Sequence, residues 1–159
     1  KPHDGYMMST LVDPRLVYPF AAARTGMRHA LDWPRWADMA GIMIMIGDDI
    51  SGGVFGRRAV RKPLTPSDYE KLSRAKKIAE MILLKAGAER SSIFMRPLFG
   101  AHPSATVRVG FMVDANCKTE ADGLYVCDAS VLPESPGRPP VLTILGLARR
   151  LARHLVKKR

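Results

Sequence analysis

Three places in this sequence carry residues able to do chemistry. His102 stands directly before Pro103, at the start of an apolar segment. An imidazole titrates near neutrality, so it can accept a proton from a hydroxyl group and return it, the work of a general base. A lone histidine is equally an ordinary hydrogen-bonded surface residue. Asp128 follows the apolar run Leu124-Tyr125-Val126-Cys127. A carboxylate at the carboxyl end of a short apolar strand is where open α/β sheets place ligand contacts. It is also where a turn or N-cap aspartate sits. Pro139-Pro140-Val141-Leu142-Thr143 opens the last helical pattern. A helix N-terminus offers unpaired N–H groups and a positive dipole end to a polarised oxygen. Prolines 139 and 140 have no N–H, so the donors begin at Val141; the alternative is a proline-started helix with no ligand.

The elements that must position these residues read as follows. Ala40 to Ile46 is apolar, β-branched and bounded by Gly47-Asp48-Asp49, the pattern of a strand. Ser51-Gly52-Gly53 reads as a turn and Val54 to Lys62 as a second strand, making a hairpin-like pair. Thr65 can cap a helix, with Pro66 at its first position and Asp68 in its first turn. Leu72, Ala75, Ala79, Ile82 and Ala86 recur at helical steps, and Gly87 suits a left-handed stop. Residues 92–96, 106–113 and 124–127 read as further strands. A last helix runs from about Pro140 to Lys157, with Ile144, Ala148, Leu151, Ala152 and Leu155 inside and its arginines outside. Residues 1–40 read as irregular and partly helical. The expected class is α+β: an antiparallel or mixed sheet of about four to six strands with the Thr65–Ala86 helix on one face.

The order of motifs in the last third resembles the carboxy-terminal end of the glucose–methanol–choline (GMC) family of flavin oxidoreductases. The family pattern His-Pro-x-Gly-Thr-x-x-Met-Gly is met by His102-Pro103-Ser104-Ala105-Thr106-Val107-Arg108-Val109-Gly110, with alanine and valine in place of the glycine and methionine. Val113-Asp114 follows, then Gly123 to Ser130, then Ser135-Pro136-Gly137-Arg138-Pro139-Pro140-Val141-Leu142-Thr143-Ile144. The resemblance implies FAD as cofactor and oxidation of an alcohol or sugar CH–OH group, with hydride passing to flavin. It implies that His102 is the base, that Asp128 and Ala129 lie by the ribityl–pyrophosphate section, and that Pro139, Pro140, Val141 and Leu142 close the flavin site. Pro139 stands where the family has a second catalytic His or Asn; a proline ring cannot hold that proton. Residues 1–120 would then be substrate-domain-like. Residues 121–159 would be the closing strand and helix of a Rossmann-like flavin domain whose amino-terminal part is absent. No Gly-x-Gly-x-x-Gly follows a strand, so the adenine half of the flavin is expected to need that missing part.

Composition narrows the field. With 47% hydrophobic and 25% charged residues the chain is that of a globular domain. Its apolar runs are far shorter than the roughly 20 residues of a membrane span. Cys117 and Cys127 make no disulfide framework or metal spacing and fit a reducing compartment, so the expected location is cytoplasmic. Cys127, inside an apolar run, reads as inert. A net charge of +10, weighted to the last helix, raises two other readings: a basic binding module, or a truncated homologue without chemistry of its own. Tyr6, Tyr18, Trp33, Trp36, Phe94 and Phe99 read as core or as a substrate-pocket lining. The expected partners are a small alcohol or sugar and the missing flavin domain or a separate electron acceptor.

Overall fold

The computed structural model describes residues 4–12, 17, 20, 23–26 and 39–157. Its elements are β1 (Tyr6–Leu11), β2 (Gly41–Ile46), β3 (Gly53–Phe55), β4 (Ala59–Arg61), helix α1 (Pro66–Lys85) and helix α2 (Val141–Lys157). Short 3₁₀ turns lie at Arg90–Ser92 and Ala129–Val131. The class is α+β, as expected. Tyr18, Trp33 and Trp36 lie outside the described residues.

The sheet differs from expectation. β2 pairs with β1, a strand not anticipated in the Pro- and Met-rich start, and β3 pairs with β4. Residues 54–62 are therefore not one strand facing 40–46. They hold a turn at 56–58 and most of a small antiparallel hairpin, in the register Gly53↔Arg61, Val54↔Val60, Phe55↔Ala59. Residues 92–96 and 106–113 form no strand; the latter carries only a Val109↔Val113 bridge. Residues 124–127 reach strand geometry only where Tyr125 bridges Lys118.

Two compact units divide the chain. In the first, residues 1–45 and 70–99, the enclosed side chains among the described residues are Ala75 and Ala79 on α1. Small residues at a four-residue step on a helix let its backbone approach its neighbours closely. Ile82 and Ala86, expected on that face, are exposed, and Leu83 and Leu84 are half-buried. The helix stops in a Schellman arrangement: Gly87, at φ +93°, donates to Leu84 O at 3.1 Å and Ala88 donates to Leu83 O at 3.0 Å.

The second unit, residues 46–69 and 100–159, buries Val113, Cys117, Ala129, Val131 and one carboxylate, Asp68. Asp68 and Thr65 form a reciprocal cap at the start of α1. The Asp68 N–H donates to Thr65 Oγ1 at 3.2 Å, and the Thr65 N–H donates to Asp68 Oδ2 at 3.0 Å. Asp68 Oδ1 also accepts the Asp49 N–H at 3.0 Å, while the Thr65 hydroxyl donates to Asp49 Oδ2 at 2.6 Å. A fully enclosed carboxylate is tolerated because backbone donors satisfy it. Lys62 Nζ completes the cluster, reaching Asp49 O at 2.7 Å and Asp48 Oδ2 at 2.8 Å. Burial pushes the Asp48 carboxyl up, but hydrogen bonds from Lys62 and Ser135 outweigh it and hold Asp48 below the ordinary aspartate range.

Candidate functional site

The His102 run and the Asp128 run are remote in sequence and are stitched together by backbone bonds. The Ala105 N–H donates to Leu132 O at 3.0 Å, Val107 to Ser130 O at 3.0 Å and Val109 to Val131 O at 3.1 Å. The ladder expected of residues 106–113 is thus replaced by pairing with a 3₁₀ turn. Beyond it the chain turns back on itself, with Met112 donating to Arg108 O at 2.9 Å and Gly110 to Val113 O at 2.8 Å. The Arg108 guanidinium lies 4.5 Å from the centroid of the Phe111 ring, fixing the outside of that turn.

His102 is exposed and sits at φ +57°; Ala105 sits at φ +63°. Both are in the left-handed region, which costs an L-residue with a Cβ about 1–2 kcal/mol. The departure of Ala105 from the glycine of the family pattern therefore falls where glycine would fit without strain. Two such residues flank Pro103-Ser104, and the imidazole is exposed.

Of the two readings the sequence left open for Asp128, the structure shows the turn-capping one: it caps the 3₁₀ turn at Ala129–Val131. Its Oδ1 accepts the Ser130 N–H at 2.8 Å. The Ser130 side chain and backbone hold its carboxyl below the ordinary aspartate range. Ala129 is buried beneath this cap, as is Val131.

Ser135-Pro136-Gly137 leads from that turn toward α2. Gly137 is at φ +62°, and a Cβ there would stand 2.9 Å from Gly47 N, so backbone meets backbone at this point and only glycine fits. Pro139 is exposed and Pro140 buried; the Ile144 N–H donates to Pro140 O at 2.9 Å to start α2. Val141 and Leu142 are exposed, Leu142 at 84%. Their N–H groups fall in the first turn, where no intrahelical acceptor exists.

The rest of α2 corrects the expected stripe. No residue of it is buried; its partly covered positions are Ile144, Leu147, Leu151 and His154, while Ala148, Ala152 and Leu155 are exposed. A surface hollow lies at Ala152, Arg153, Val156 and Lys157 and includes none of the candidate residues. Among the described residues no group of three or more His, Cys, Asp or Glu could hold a metal, and no helix is long and apolar enough to cross a membrane.

Comparison with known proteins bears on residues 48–148, which match the family described as GMC oxidoreductase, in its carboxy-terminal region. An uncharacterised protein of Methanocaldococcus jannaschii is 34% identical over 119 residues, a stretch covering 75% of this chain and 30% of that protein. The match thus spans less than a third of that relative's length. No solved structure matches the chain.

Proposed function

The chain belongs to the GMC oxidoreductase family, and from that premise we propose that it is the carboxy-terminal part of an FAD-dependent enzyme oxidising an alcohol or sugar CH–OH group. The observation that carries this reading is the three-bond pairing of residues 105–109 with 130–132, which unites the two motifs the chemistry requires. The chain's own groups suit the flavin-ring side of a cofactor: an exposed His102 in the left-handed region, a capped turn at Asp128 over buried Ala129, and the first turn of α2. A glycine-rich loop to cradle the phosphates is absent from the sequence, so that part of the binding falls to chain outside residues 1–159.

When bound, flavin supplies a two-electron acceptor for hydride from the substrate carbon. His102 takes the hydroxyl proton at a ring nitrogen as that carbon is oxidised, which keeps charge from building on the substrate oxygen. Asp128 and Ala129 hold the ribityl–pyrophosphate side. Pro140, Val141 and Leu142 close the ring side, with N–H donors beginning at Val141. Pro139 contributes shape and no proton transfer, so acid–base work rests on His102 alone. Residues 1–120 serve as the substrate-domain portion and 121–159 as the last strand-like segment and helix of the flavin domain. Partners are a small alcohol or sugar and the flavin domain, and the working location is the cytoplasm. Visible absorbance of the purified full-length protein tests the cofactor. A bound-flavin spectrum bleached by an alcohol is the expected result, and a colourless protein that binds no added FAD would contradict the reading.

A further inference from the structure

We propose that Lys62 is a positioning residue for residues 135–142, which it holds in place through the loop of residues 47–51; the inference rests on the reading of 139–142 as the wall that closes the flavin site. The loop is built around one ammonium group. Lys62 Nζ donates to Asp49 O at 2.7 Å and to Ser51 Oγ at 2.8 Å, and it pairs with Asp48 Oδ2 at 2.8 Å. Three acceptors match the three protons the group carries. The Ser51 hydroxyl in turn donates to Pro63 O at 2.5 Å, tying the loop to the residue after Lys62. The other side of the loop is fastened to the start of α1, where the Asp49 N–H donates to Asp68 Oδ1 and the Thr65 hydroxyl donates to Asp49 Oδ2.

The first residue of that loop meets the segment backbone to backbone. A Cβ on Gly137 would stand 2.9 Å from Gly47 N and 3.2 Å from Gly47 Cα, and one on Gly47 would stand 3.5 Å from Gly137 Cα and from Ser135 O. Because the nearest atoms on both sides are main-chain atoms, no change of rotamer can absorb a shift of the loop. Beyond Gly137 come Arg138 and then Pro139 and Pro140, whose rings fix φ and stiffen the link to α2. Pro140 is buried, and its carbonyl accepts the Ile144 N–H that starts the helix. A displacement at Gly47 therefore reaches Val141 and Leu142. The His102 side is held separately, since the bonds from Ala105, Val107 and Val109 to residues 130–132 involve no atom of the loop. Lys62 thus acts on one wall of the proposed site and not on its base.

The test compares amide hydrogen exchange in the full-length wild type and in Lys62→Met. The Ile144 amide should lose protection by roughly 3–10-fold, while the Ala105, Val107 and Val109 amides keep theirs. Gly137→Ala pushes on the same contact from the other end and should deprotect the Asp49 amide. In the flavin-loaded protein, Lys62→Met should shift the visible flavin band and slow its reduction by alcohol by roughly tenfold, a displaced wall misaligning the reacting groups. Ala79→Gly, a destabilising change in the other unit, should do neither. Equal losses at all of these amides, no loss at Ile144, or a flavin spectrum and reduction rate like wild type in Lys62→Met would overturn the proposal. Exchange is read with or without flavin, so a colourless protein showing the selective pattern would refute the proposed function and leave the positioning role of Lys62 standing.

Discussion

At the scale of single residues, backbone conformation and local charge make the sharpest demands. Ala105 occupies a left-handed position at φ +63° beside the candidate base. Ala105→Gly should remove that strain and stabilise the protein by about 1 kcal/mol, less the extra freedom glycine gives the unfolded chain. A urea midpoint that moves upward checks this; an unchanged or lower midpoint would count against it. Asp48 titrates below the ordinary aspartate range because Lys62 and Ser135 overcome the cost of its burial. A carboxyl lowered in the folded state contributes stability above its unfolded pKa of about 3.9 and loses it as pH falls through the folded value. The Lys62–Asp48 pair is partly exposed, at 40% and 29%, so solvent screening keeps its contribution small. Asp48→Asn should cost about 0.5 kcal/mol at neutral pH, and the gap to wild type should close in acid. Paired unfolding curves across pH give the comparison, and a gap that persists or widens in acid would refute the assignment.

At the scale of elements, the cap of α1 shows what sequence makes legible. Thr65, Pro66 and Asp68 announce the helix start by local chemistry, and Gly87 announces its end, because each acts on backbone groups within a turn of itself. Asp68 does more than the motif revealed, since it also accepts the Asp49 N–H and is fully enclosed. Asp68→Ala should therefore remove the acceptor from two partly buried N–H donors, Asp49 and Thr65, and cost about 1–3 kcal/mol. A loss under half that in urea unfolding would mean water replaces the carboxylate. The strands expected at 92–96, 106–113 and 124–127 were not legible for a physical reason. Their apolar residues suit a ladder, but Gly110 at φ +80° turns the chain back within 106–113, a 3₁₀ turn at Arg90–Ser92 leads into 92–96, and 124–127 finds only the bridge to Lys118. β1 was hidden for the opposite reason: Tyr6–Leu11 alternates weakly and sits among turn-forming residues. Candidate site residues were found through the order of their motifs, and their pairing through the 3₁₀ turn was visible only in three dimensions.

At the scale of the whole molecule, α2 is a helix with no buried residue, and Leu142, Leu145 and Val156 are exposed at 84%, 59% and 74%. Leu124, in the apolar run before Asp128, is 52% exposed. These surfaces fit a chain whose phosphate-binding portion lies elsewhere in the polypeptide. Residues 1–159 alone should accordingly bind FAD weakly or not at all, as a flavin-fluorescence titration would read, and tight stoichiometric binding would show a complete flavoprotein instead. The central claim is that His102 is the base in the oxidation of an alcohol carbon. Its most direct test is the rate of flavin reduction by alcohol in the full-length His102→Ala enzyme, followed by stopped-flow absorbance. The account predicts a flavin spectrum like that of wild type and a reduction rate lower by roughly 10²–10⁴-fold. Flavin reduced at the parental rate would contradict it.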